Sequence, residues 1–108
     1  MIWLGTARDD VRGFPADARQ VAGFQLWRVQ TGLDPNDWKP MPAVGLGVRE
    51  VRVHTGLEHR ILYLATFDEA VYVLHAFQKR SRRTPKRDLE LARQRRRELL
   101  KQRRPGGR

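Results

Sequence analysis

Four cationic side chains, Arg52, Arg60, Lys79 and Arg80, carry the chemistry this chain offers, and most other catalytic equipment is absent. There is no cysteine, so disulfides and thiolate metal sites are excluded. Ser81 is the only serine, and it lies in Lys79-Arg80-Ser81-Arg82-Arg83 without a Ser–His–Asp pattern. His54, His59 and His75 lack metal-ligand spacing, the acidic residues do not cluster as magnesium ligands would, and no Gly-rich phosphate loop is present. Neither a metal nor a cofactor is expected. RNA can be cut without either, because its 2′-hydroxyl attacks the neighbouring phosphate. The protein must orient that group, accept its proton, stabilise the phosphorane and protonate the leaving 5′-oxygen. The guanidinium fork matches two phosphorane oxygens, and fixed charge of that kind is often the largest catalytic contribution. A lysine crowded by other cations gives up its proton more easily and can act as acid or base.

The elements that must position these groups are legible from periodicity. Ile2-Trp3-Leu4 reads as a short strand, and Asp9, Asp10 and Gly13 as a turn. Pro15 suits a first helical position. Ala18, Val21, Ala22, Leu26 and Val29 then form an apolar helical stripe that Gly32 stops. Residues 33–47, with three prolines, read as a long loop anchored by Trp38 and Met41. Val48 to His54 alternates, with Val51 and Val53 on one side and Glu50, Arg52 and His54 on the other. Arg60 to Phe67 and Val71 to Phe77 follow after turns at Gly56 and at Asp68-Glu69, which implies an antiparallel meander. Thr84 reads as a helix cap and Pro85 as the first position. Leu89, Ala92, Leu99 and Leu100 supply the last helix's buried stripe. The expected fold is α+β: an N-terminal helix, a curved antiparallel meander and a basic C-terminal helix. One domain over 1–104 is expected, with 105–108 a disordered tail. The first helix should cover one sheet face and leave the other to arginine and lysine. The meander should bring Arg52, Arg60, Lys79 and Arg80 to one sheet edge.

Charge is divided along the chain. Residues 1–78 carry 8 Lys and Arg against 9 Asp and Glu, whereas residues 79–108 carry 14 against 3. A polycation of this kind attracts nucleic acid through counterion release. The alternatives are a solvated helix or one facing an acidic protein. Arg82 and Arg83 in this stretch, Lys39 in the loop, Arg52 on its strand and His59 beside Arg60 are the expected RNA contacts. His75 reads as a satisfied half-buried histidine, Tyr63 as core and Trp38 as a loop anchor. No run approaches the roughly 20 apolar residues of a membrane span, and the N-terminus does not read as a signal peptide. A cytoplasmic setting without membrane contact is the expectation.

Several of these residues match a known pattern. Gly45-Leu46-Gly47-Val48-Arg49-Glu50-Val51-Arg52, His59-Arg60-Ile61-Leu62-Tyr63, Val71-Tyr72-Val73-Leu74-His75-Ala76-Phe77-Gln78-Lys79-Arg80 and Thr84-Pro85 together resemble the phage-derived branch of the RelE/HigB toxins. Phe14-Pro15, Gln30-Thr31-Gly32 and Trp38-Lys39-Pro40-Met41 extend the likeness, which spans roughly residues 3–100. The resemblance implies the toxin of a type II toxin–antitoxin pair, of the RelE/ParE superfamily. Such toxins cleave mRNA without metal, typically in the ribosomal A site. The implied partner is a HigA-like helix-turn-helix antitoxin that masks the cationic face or displaces the last helix. Arg60 would take the strand arginine that contacts the scissile phosphate, Arg80 the arginine after the last strand, and Lys79 its basic neighbour. Two departures matter. The branch commonly has two lysines after Phe-Gln, and here the second is Arg80. RelE carries paired lysines where this chain has Glu50 and Arg52, so the resemblance assigns no general base. Two other readings stay open: a ParE-like inhibitor that blocks DNA gyrase by contact, and a plain RNA-binding module.

Overall fold

The computed structural model describes residues 1–103. The expected tail at 105–108 lies outside the described residues. Eight elements follow in order: β1 (Ile2–Trp3), α1 (Ala7–Arg12), α2 (Ala16–Gln30), β2 (Trp38–Pro40), β3 (Val48–His54), β4 (Glu58–Leu64), β5 (Tyr72–Gln78) and α3 (Lys86–Gln102). They form one sheet in the order β1-β5-β4-β3-β2. The β3-β4-β5 meander is antiparallel as expected, and β2 joins it antiparallel. β1 returns beside β5 in parallel, so the sheet is mixed. Gly32 and Gly56 adopt φ of +88° and +94°. A side chain is strained there; the first ends α2, and the second turns β3 into β4.

Strand alternation sorts the core into two layers. Val51, Val53, Ile61, Tyr63 and Val73 face α1 and α2, where they meet Ala7, Val11, Ala18, Ala22, Leu26 and Val29. The opposite face sends Val48, Leu62, Leu64, Tyr72 and Leu74 against Ala92 and Leu99 of α3, and against Met41 and Val44 of the loop. That second face was expected to stand open to cations. The structure corrects this: α3 covers much of it, and only the end nearest the β3–β4 turn is left to charge. A register shift at Leu62/Tyr63 interrupts the β4–β5 pairing and leaves Leu74 without an opposite residue. Such bulges bend the strand, and here the bend lies upstream of the Gln78–Arg80 end.

Polar contacts hold α3 at both ends. His75 Nε2 lies 2.6 Å from Asp88 Oδ1 at its start. Arg95 Nη1 donates to the Leu74 carbonyl at 2.9 Å, in mid-helix. Arg103 grips Glu69 through two nitrogens at 2.6 and 3.0 Å, which holds that carboxyl down to about 2.

Four local expectations change. Ala7–Arg12 is a short helix where Asp9, Asp10 and Gly13 suggested a turn, because Ala7 and Val11 bury against the sheet. The Pro-rich loop contains β2, whose Lys39 pairs with Glu50. Pro85, rather than Thr84, occupies the cap of α3, and no side chain bonds there. Pro15 likewise caps α2 instead of opening it. Among the described residues no helix is long and apolar enough to cross a membrane.

Leu62 is fully buried between α3 and the sheet. Leu62→Ala is expected to destabilise the fold by about 3 kcal/mol through lost burial and a residual cavity, read as a lower denaturant midpoint at unchanged slope.

Candidate catalytic cleft

The site begins with a buried carboxylate. Glu50, at mid-strand in β3, is 0% exposed. Its Oε1 lies 3.5 Å from Arg52 Nε, 3.6 Å from Arg60 Nε and 3.9 Å from Lys39 Nζ. Its Oε2 has no hydrogen-bond partner. Cross-strand register explains the convergence, because Lys39 pairs with Glu50, and Arg52 with Arg60. Directly opposed residues share a face. Two like-charged arginines in direct opposition would repel, so the anion beneath them is what makes the pairing tolerable.

Lys79 joins this group from the end of β5, where its N–H donates to the Glu58 carbonyl at 2.8 Å. Burial pushes its ammonium below the ordinary value. Glu50 opposes that shift, whereas Arg60, Lys39 and Arg52 add to it. Lys79 therefore releases a proton more readily than a surface lysine, as its crowding suggested.

A cleft of ≈ 430 Å³ opens over the cluster, lined by Glu58, Arg60, Lys79, Arg80, Ser81 and Arg82. Arg60 forms its wall, with Nη1 2.9 Å from Glu58 Oε1. Arg80 is exposed and donates to Gln78 Oε1 at 3.2 Å. It also borders a second cleft of ≈ 730 Å³ between α1 and the start of α3. Arg60, Lys79, Arg80 and Arg82 thus meet at one cleft, with Arg52 and Lys39 tied to it through Glu50.

Two expected RNA contacts do not join them. His59 is 1% exposed and faces the α2 side, its ring centroid 4.2 Å from that of Phe14. The strand starts at Glu58 rather than Arg60, so His59 is a strand residue of opposite parity to Arg60. Burial holds its pKa below the ordinary value, and the neutral ring is packing. This corrects its assignment to RNA. Arg83 is exposed but lines neither cleft; its carbonyl accepts from the Ser81 hydroxyl at 2.9 Å. Trp38 sits under the Arg49 guanidinium at 4.1 Å, which fits its reading as an anchor.

The structure also assembles a group that the sequence reading missed. His54 Nδ1 lies 2.7 Å from Glu58 Oε1, and His54 Nε2 lies 2.6 Å from Asp37 Oδ2. Hydrogen bonds to Glu58 and then to Asp37 raise the His54 pKa, while the bond to His54 lowers that of Glu58. The i,i+4 spacing across Gly56 was the available signal, since a tight turn there sets residue 54 opposite 58.

With this geometry in place, the chain can be compared with known proteins. The pattern of the family described as Phage derived protein Gp49-like matches residues 9–97, which takes in β2 to β5 and most of α3. The chain belongs to that family, which is associated with toxin–antitoxin pairs. No curated protein matches it significantly.

Glu50→Gln removes the shared counter-charge and leaves Arg52, Arg60 and Lys39 facing one another. Breaking a buried ion pair from one side is strongly destabilising, so a loss of about 3 kcal/mol is expected. Urea unfolding at low and high salt checks it: added salt should recover part of the loss by screening the cations.

Proposed function

We propose that this chain is the toxin of its pair and that it cleaves mRNA, on the ribosome, by activating the RNA's own 2′-hydroxyl. The observation that carries the reading is the meeting of Arg60, Lys79 and Arg80 at one open cleft, two of them beside a buried anion. Arg60 is held by Glu58 and Glu50, so its guanidinium is pre-aimed and needs little reorganisation as phosphorane charge develops. Lys79, with its proton loosened by burial and cations, suits protonation of the leaving 5′-oxygen. Arg80 and Arg82 at the rim suit the flanking phosphates. Arg52 and Lys39 extend the positive field along the sheet. The arginine in place of a second lysine at position 80 leaves Lys79 as the acid, because guanidinium does not give up its proton.

The partner in this reading is a HigA-like helix-turn-helix antitoxin that covers the cleft or lifts α3 from the sheet. A gyrase-blocking toxin on the same scaffold would need no such cluster.

The test is mapping of mRNA 5′ ends after induction in growing cells. Wild-type protein is expected to generate new internal 5′ ends, and Arg60→Ala to reduce them by about 100-fold or more. Arg60→Lys, which keeps the charge beside Glu50, separates loss of catalysis from loss of folding; it should fold and still cleave poorly, for want of the fork. Growth arrest with a DNA-damage response and no new 5′ ends would overturn the nuclease reading in favour of gyrase inhibition.

A further inference from the structure

At the turn end of the β3–β4 hairpin, register sets His54 opposite Glu58 and Arg52 opposite Arg60. His54 and Glu58 therefore lie on the cluster's face, one residue pair beyond the two arginines. Asp37 arrives from the segment before β2. It is fixed there because its carbonyl accepts the Arg52 N–H at 2.9 Å. The result is a line of four side chains: Asp37, His54, Glu58 and Arg60, joined at 2.6, 2.7 and 2.9 Å. Three belong to adjoining strands and one to a loop. Their line runs from the outer rim into the ≈ 430 Å³ cleft, where Glu58 is the only carboxylate among its described lining residues.

An imidazole between two carboxylates has a defined chemistry. Neutral histidine carries one ring N–H and can donate to only one of them; the other ring nitrogen then points a lone pair at an anion. A proton delivered to Glu58 can relieve that conflict by moving to His54, where the second carboxylate stabilises the imidazolium. Asp37 stands to His54 as the orienting carboxylate does to histidine in acyl-transfer triads, where it stabilises the imidazolium without taking a proton.

We propose that Glu58 is the catalytic base that takes the 2′-hydroxyl proton, and that His54, oriented by Asp37, is the positioning residue that relieves Glu58 of it. The proposal rests on the RNA-cleavage reading and fills the role that neither the sequence nor the family likeness assigns. The O2′–H bond breaks as an O–H bond forms on Glu58, and O2′ bonds to phosphorus. That proton passes to His54 Nδ1. The P–O5′ bond breaks, and Lys79 supplies the proton to O5′. The products are a 2′,3′-cyclic phosphate and a 5′-hydroxyl, with no oxidant or co-reactant.

A sign follows for pH. His54 must start neutral. The charged groups around it are Glu58 from β4 and Asp37 from the loop, with Arg60 beyond Glu58 and Arg52 two residues back on β3. The hydrogen bonds to Glu58 and Asp37 raise its pKa above the ordinary 6.5. Cleavage therefore increases with pH through that raised value, and falls again only where Lys79, the acid, begins to lose its proton.

The test measures single-turnover cleavage of ribosome-bound mRNA between roughly pH 5.5 and 9 for wild type, His54→Asn and Glu58→Gln. Asn retains a donor towards Glu58 but cannot titrate. Wild type should gain about tenfold per pH unit on its rising limb. His54→Asn should lose that limb, and Glu58→Gln should lose it too and fall by about 100-fold on the wild-type plateau. Both side chains are more than one-third exposed, so both variants should keep wild-type circular dichroism and melting. A His54→Asn profile with the wild-type limb unmoved, or Glu58→Gln cleaving within roughly threefold of wild type, would overturn the relay while leaving the nuclease reading intact. Wild type that cleaves at no pH would remove both.

Discussion

Everything at the functional end of this molecule depends on one carboxylate out of reach of water. Glu50 sits in the middle of β3 with no exposed surface, and three cations share its Oε1 within 3.9 Å. A buried anion is tolerable only when paired, and the cations would repel one another without it. Each side of the arrangement thus requires the other. The surplus positive charge is left at the mouth of the cleft, where a phosphate would complete the neutralisation. The stabilising role of Glu50 and the surplus charge at the cleft mouth have the same physical origin.

The sheet supplies the precision. Strand pairing fixes Arg52 against Arg60 and His54 against Glu58 through backbone hydrogen bonds, not through the side chains themselves. Sites built on paired strands hold geometry better than sites on loops. α3 closes the same sheet face further along, which confines charge to one end and keeps the apolar end dry.

Much of this was legible from residue order. Alternation in Val48–His54 gave the two faces of β3, and the stripe from Ala18 to Val29 gave α2. The clustering of Arg60, Lys79 and Arg80 followed from meander topology alone. Errors arose where parity or register decided the matter. His59 looked like a turn residue because the strand was started at Arg60; two residues more of strand put its ring among the core side chains. α1 was hidden because Asp9-Asp10 reads as a turn, while the two small apolar residues that bury it are easily passed over. β2 was hidden by its prolines. In the Asp37–His54–Glu58 line, the turn at Gly56 announces the pair 4 apart, whereas only the folded register brings in Asp37, 17 residues from His54.

The manner in which α3 rests on the sheet has its own consequence. Its buried side chains are only Ala92 and Leu99, while carboxylate, imidazole and guanidinium contacts fasten its two ends and its middle. An element with few fully buried apolar side chains makes fewer of the contacts that resist local opening than the strands beneath it. Its lifting would bare Leu62, Leu64 and Leu74. The fold thus carries a greasy strip under a cover fastened at its ends and its middle by polar contacts.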